Sequence, residues 1–318
     1  MITRENFQQL NLVDRLYYGY FLVLGLVVVV FHTRVPHWHS YLGLHALILM
    51  IITALALAQR RSKVIGFLHD WYPLAIFIFC FEEISRLSLM IIPHWQDAYL
   101  LSLEARVFPT PPTVWFGTIA TPWLTEIMEI GYFSYFVLLM IVGGVLYGRS
   151  DRRPFRQVMT ASVASYLLCY VVFILFPTEG PAHTLRALHT TPIPGGGPFH
   201  WAVLLIQRHA GVHGCAFPSS HVAAGFVDLI FAWKCAPRLG AALTPLVIFL
   251  CLGAVYDRYH YASDVVAGLM VGALAAGLVF ALERSPALMR ESHLYAGLPV
   301  NSVQAWTSST AFTRSAKR

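Results

Sequence analysis

Charge is what this chain of 318 residues has least of: Asp, Glu, Lys and Arg make up 12% of it, against 57% hydrophobic residues and a mean hydropathy of +0.61. A water-soluble domain with that much apolar surface would have no core large enough to take it, so soluble folds are excluded. Cysteine is scarce as well. Cys80, Cys169, Cys215, Cys235 and Cys251 form no C-x-x-C pair, which argues against a disulfide scaffold or a thiolate metal cluster and leaves four of them as small buried hydrophobes, with Cys215 alone expected exposed on the outside. There is no H-E-x-x-H motif, no internal repeat and no linker separating domains.

What is abundant is apolar sequence in runs long enough to cross a bilayer, which takes about 20 residues. Eight such stretches lie near 17–31, 41–58, 71–92, 124–146, 155–176, 222–233, 241–256 and 262–282. The predicted fold class is all-α: a polytopic integral membrane helical bundle of about eight spans. The first stretch follows a mixed polar head and precedes no small-residue cleavage site, so it reads as a retained span. Of the 22 Lys and Arg, fourteen fall in segments 59–63, 148–156, 234–238 and 284–318. Positive residues in short loops stay on the cytoplasmic side, which puts those segments and both termini there. The net charge of +6 thus reports topology, and nucleic acid is not an expected partner.

Two longer segments fall on the opposite, exoplasmic side. Residues 93–122 are semi-polar, with Trp95, Trp115 and the turn formers Pro109-Thr110-Pro111-Pro112. Aromatics favour the headgroup level, so a partly helical surface layer is expected, serving as a lid or a lipid entrance. Residues 177–217 form the longest loop, and a loop of that length is functional when it is not disordered. The expected organisation is one membrane domain over 1–283, its core motifs in 177–268, and a flexible cytoplasmic tail over 284–318.

The polar residues that interrupt the oil concentrate in two short runs, Pro218-Ser219-Ser220-His221 and Arg258-Tyr259-His260-Tyr261-Ala262-Ser263-Asp264. His260 follows His221 by 39 positions, one crossing down and one back, so both return to the same face. Asp264 follows His260 by four and on a helix would share its face. Phosphoryl transfer needs a nucleophile, an acid for the leaving oxygen and donors around the phosphate. His260, held in one tautomer by Asp264, would attack phosphorus, and His221 would protonate the departing alkoxide. The helix start after Pro218 would offer N–H groups and the hydroxyls of Ser219 and Ser220 to the phosphate, with charge from Arg258 or, further off, Arg186. A zinc ion on the same two histidines and Asp264 is a rival that no metal motif supports. Serine catalysis at Ser220 lacks the G-x-S-x-G elbow.

With these residues in hand, the chain resembles the type 2 phosphatidic acid phosphatase superfamily. Pro218-Ser219-Ser220-His221 matches its P-S-G-H motif, and His260-x3-Asp264 followed by Val265-Val266-Ala267-Gly268 matches the end of its third motif. The resemblance implies His260 as nucleophile, Asp264 as its orienting partner and His221 as general acid, with no cofactor and no metal. It also implies a lipid phosphate or phospholipid substrate drawn from the membrane. The chain departs from the pattern in two places: the arginine expected six residues before His260 is Ala254, and no K-x6-R-P first motif occurs. Softer similarities at 123–126, 132–135, 176–181 and 258–261 resemble the branch holding inositol phosphorylceramide synthases and bacterial lipid phosphatases. That branch implies an alcohol acceptor such as inositol or a ceramide as the alternative to water.

Charges inside the spans need partners or water. Arg86 lies four residues from Glu82 and three from Glu83, so an internal ion pair is expected there. A transporter lined by these groups and by Glu126 and Glu129 is the rival from another class, with no repeat or broken helix in its favour. Asp228, seven residues after His221, reads as a buried structural acid. Of the histidines crowding the long loop, His183, just after Glu179-Gly180-Pro181, is the one singled out for the site.

Overall fold

The computed structural model describes residues 9–210 and 213–283, and the tail expected over 284–318 lies outside them. The chain divides into two compact units, Met1–Gly277 and Leu278–Arg318, and the first contains every site residue named above. All regular structure among the described residues is helical. In chain order the elements are α1 (Leu12–Val30), α2 (Trp38–Ala58), α3 (Lys63–Trp71), α4 (Pro73–Leu87), α5 (Asp97–Val107), α6 (Pro112–Ile119) and α7 (Pro122–Phe133). They continue as α8 (Tyr135–Tyr147), α9 (Arg153–Leu175), α10 (Pro181–Thr184), α11 (Pro198–Ala210), α12 (Ser220–Cys235), α13 (Pro237–Tyr256) and α14 (Ala262–Glu283). Starts are written in the sequence: Pro73, Pro112, Pro122 and Pro237 open their helices, where a missing N–H is not needed. Asn11 and Asp14 close a reciprocal capping box at α1.

Among the described residues six helical runs are long and apolar enough to cross a membrane: α1, α2, α3 with α4, α9, α13 and α14. The other two expected stretches differ in form. The fourth is broken into α7 and α8, bent by 47°. The break falls at Ser134, whose hydroxyl donates to the Gly131 carbonyl at 2.6 Å, the kind of Gly and Ser pairing that kinks helices. The sixth stretch, α12, has only 16 residues. It packs against α8, α9 and α13, and Val222, Ala223, Val227 and Phe231 are fully enclosed. A helix buried on most sides sits inside a bundle, not at its lipid edge.

Close crossings fix the bundle. Gly268 and Gly272 of α14 face the start of α12, where a Cβ on either would lie 2.5 Å from the carbonyl oxygens of Ser219 and Ala223 respectively. α7 and α13 meet in the same way, a Cβ at Gly253 falling 2.5 Å from the Met128 carbonyl oxygen. Small residues four apart are how membrane helices bring backbones together.

The charges singled out inside the spans have partners. Arg86 pairs with Glu82 as expected, but Glu83 turns the other way to His45 of α2, 2.6 Å from its Nε2. Glu126 accepts the N–H groups of Phe199 and His200 at 3.2 and 3.1 Å, satisfying the start of α11, while His200 Nδ1 sits 2.9 Å from Glu129. Asp228 is enclosed and accepts the Ser162 hydroxyl at 3.4 Å, as its structural reading requires.

Candidate active site

The connections 88–121, 176–219 and 257–261 meet at one end of the bundle, and one carboxylate ties them together. Asp97, at the start of α5 and 4% exposed, accepts the N–H groups of Glu179 and Gly180 at 2.8 and 2.9 Å. It also accepts the hydroxyls of Thr184 at 3.2 Å and Tyr261 at 2.9 Å. Glu104, about two turns further along α5, receives the Ser263 N–H at 3.0 Å, and its burial raises its pKa. The segment expected to be partly helical does hold two helices, α5 and α6, and α5 clamps the loops that carry the histidine motifs. Removing the clamp leaves several buried donors unpaired, so Asp97→Ala is expected to lower stability by about 3 kcal/mol. Thermal unfolding followed in detergent checks this; an unchanged midpoint would contradict it.

Beside that clamp lies a cavity of about 490 Å³. His221 and His260 both line it, their ring centroids 6.1 Å apart. His260 is 5% exposed, and its Nδ1 stands 2.8 Å from the Ala216 carbonyl oxygen and 3.4 Å from Asp264 Oδ2. A carbonyl can only accept, so Nδ1 carries the proton and Nε2 keeps its lone pair. Asp264 Oδ2 in turn accepts the Tyr261 N–H at 2.8 Å, and the Asp264 carbonyl accepts the Ser219 N–H at 3.0 Å. That last bond joins the two motifs directly. His221 is set among the rings of Tyr135, Phe81 and Tyr132, at centroid distances of 4.1, 5.7 and 5.9 Å.

The residues expected to hold phosphate are placed differently. Ser219 and Ser220 are enclosed and do not line the cavity; the Ser219 hydroxyl caps its own helix, accepting the Val222 N–H at 3.4 Å. Arg258 adopts φ +65°, which turns its guanidinium to the Thr191 carbonyl at 2.6 Å, away from the cavity lining. His189, next to it, is pushed down to about 4 by burial and then by Arg258, so it is neutral at pH 7. Arg186 does not line the cavity either. Ala254, where the resemblance calls for arginine, is fully enclosed, and its carbonyl accepts the N–H groups of Tyr259 and His260 at 3.1 and 3.0 Å. Among the described residues the cavity lining holds no lysine or arginine, and His183 and His213 line it besides the central pair.

Sequence reasoning missed Asp97, Thr178 and Ala216. Thr178 holds the turn before Pro218 by accepting the Phe217 N–H at 2.8 Å. The partners of all three are long-range or backbone, and such contacts leave no local motif.

The family described as the PAP2 superfamily matches residues 98–278, more than half of the chain and every residue of the cavity lining except Phe81. A PA-phosphatase related-family protein of Dictyostelium discoideum is 24% identical over 168 residues, covering 46% of this chain and 30% of that protein. The chain thus matches less than a third of that relative's length. No solved structure matches.

Proposed function

Because the chain belongs to the PAP2 superfamily, we propose that it is an integral membrane lipid phosphatase working through a phosphohistidine at His260. Phosphatase- or phosphotransferase-type lipid chemistry comes with the family. The residue roles are our reading, and one observation carries them: two imidazoles 6.1 Å apart share a cavity, and one has its Nδ1 proton committed to a backbone carbonyl.

In this mechanism His260 Nε2 attacks phosphorus as the P–O bond to the lipid alcohol breaks. His221 gives its proton to the leaving alkoxide. A phosphate dianion between the rings favours a proton on His221, since opposite charge stabilises the charged form. Water then attacks the phosphohistidine, returns a proton to His221 and releases phosphate. Asp264 acts through His260 and Tyr261 as a positioning residue. Phe81, Phe136, Val203 and Ile206 give the cavity an apolar side for the lipid part of the substrate. The Lys and Arg of 59–63, 148–156 and 234–238, each one helical run away from the loops of the site, support an exoplasmic site, periplasmic, lumenal or extracellular.

A cavity of about 490 Å³ also has room for an acceptor alcohol beside the phosphate, so transfer to inositol or a ceramide is the second reading. The test supplies purified protein with radiolabelled phosphatidate and related phospholipids, with and without each alcohol, and His260→Ala as control. Release of free phosphate regardless of alcohol is the expected result. A labelled inositol- or ceramide-containing product would favour the transferase, and no turnover of any lipid phosphate would overturn both.

A further inference from the structure

A bound phosphoryl group needs donors around its oxygens, and among the described residues no lysine or arginine lines the cavity. Three tyrosines do: Tyr132, Tyr135 and Tyr259. They form one cluster beside the central histidines. Tyr132 packs against Tyr135 and Tyr259, with ring centroids 5.4 and 4.6 Å apart, and Tyr132 and Tyr135 both lie against the His221 ring, at 5.9 and 4.1 Å. Tyr259 directly precedes His260, and the Ala254 carbonyl accepts the N–H groups of both at 3.1 and 3.0 Å, so the two are pinned together.

In Tyr17, Tyr72, Tyr170, Tyr256 and Tyr261 the hydroxyl is bonded within the protein, to Pro73, Asp14, Phe77, Thr125 and Asp97. The hydroxyls of Tyr132, Tyr135 and Tyr259 have no hydrogen-bond partner among the described residues, and none of them is sealed in the interior. A polar group at a cavity wall with no protein partner is one that a ligand oxygen can satisfy. Burial raises the Tyr259 hydroxyl well above its ordinary pKa, so it keeps its proton and can donate. Tyr132 and Tyr135 stand three residues apart on either side of Ser134, where α7 and α8 meet at the 47° bend. A break in a helix at membrane depth is tolerated where it lines a cavity, and both of these rings line one.

We propose that the hydroxyls of Tyr132, Tyr135 and Tyr259 cradle the phosphoryl group, each donating one hydrogen bond to a non-bridging oxygen beside His221 and His260. The assignment rests on the phosphoryl-transfer reading and fills the place that Arg258, turned to Thr191, leaves empty. Hydrogen bonds to a charged oxygen are of the strong kind, and donors already aimed at the site need no rearrangement as the phosphoryl group moves. The three hydroxyls keep their protons throughout. The attack by His260 and the proton from His221 stay as written.

The test uses full-length protein in detergent, with sodium orthovanadate as a phosphate mimic titrated by calorimetry and phosphate release from phosphatidate as the turnover assay. Phenylalanine at each position removes one oxygen and keeps the ring against its neighbours. Each single variant, Tyr132→Phe, Tyr135→Phe or Tyr259→Phe, is expected to weaken vanadate binding by about tenfold or more and to lower kcat/KM by at least as much, with an unchanged melting profile. The triple variant is expected to lose both. Tyr18→Phe, whose hydroxyl bonds to the Leu49 carbonyl and not to the cavity, is the control and should match the wild type. Wild-type vanadate affinity in the triple variant, or no vanadate binding by the wild type, overturns the cradle. Wild-type turnover by the triple variant also overturns it, while leaving the phosphohistidine standing. Vanadate binding that depends on the three hydroxyls, without turnover of any lipid phosphate, upholds the cradle and overturns the enzyme reading.

Discussion

Replacing His260 with alanine is expected to lower phosphate release by about 10⁴-fold or more, some 5.5 kcal/mol of barrier, because in the proposed mechanism the variant loses the atom that bonds to phosphorus. The effect on His221→Ala should be different in kind. In the proposed mechanism His221 protonates the leaving alkoxide, so its loss should matter most for a poor leaving group such as a lipid alcohol and least for p-nitrophenolate. With p-nitrophenyl phosphate, His221→Ala should still form the phosphoenzyme and stall at the hydrolysis step, where no base is left to activate water. Rapid quenching at alkaline pH, where phosphohistidine survives, would show acid-labile label on His221→Ala and none on His260→Ala. Label on both variants would place the nucleophile elsewhere.

The second large effect is structural. Gly268→Leu is expected to destabilise the protein by about 3 kcal/mol or more, since a Cβ there would lie 2.5 Å from a backbone oxygen that cannot rotate away. The contact is with Ser219, one residue from the start of α12, so any relief has to push the two histidine motifs apart. Gly268→Ala should already show the effect in part. Both can be followed by thermal unfolding and by the yield of monodisperse protein in detergent. Gly277→Ala, with open space around its Cβ position, is the matched control and should behave as wild type. A wild-type melting profile for Gly268→Leu would mean the helices do not cross there.

The central pair could be read from sequence because a membrane imposes a strict ruler. Two crossings fix a spacing, and both His221 and His260 obey it. The partner of His260 was only half legible. Asp264 stands at the right helical offset, but the nearer acceptor is the Ala216 carbonyl, and a backbone oxygen is present at every position. Arg258 shows the opposite failure. Proximity in sequence suggested a shared cavity, and a single left-handed residue turned the side chain to Thr191. Glu83 had an arginine three positions away and still chose His45 on another helix, because local offsets say nothing of what packs across. The break at Ser134 was missed because one hydroxyl in an apolar run looks harmless until it bonds back to Gly131. Asp97 was the hardest to foresee: it lies 164 positions before Tyr261 in a segment whose aromatics pointed only to the membrane surface.

The shortness of α12 sets a depth. At about 1.5 Å per residue its 16 residues rise about 24 Å, while the hydrocarbon layer is about 30 Å thick. If its Lys234 end is held at one boundary, His221 stops about 6 Å short of the other. On the proposed reading, the phosphorus of a lipid substrate would then sink below its neighbours' headgroups to be attacked, while its acyl chains stay in the bilayer. Selection on such a path acts through what can slide in sideways and tolerate partial dehydration. A soluble phosphate ester of the same headgroup, lacking chains to carry it down, would be a poor substrate for the same chemistry.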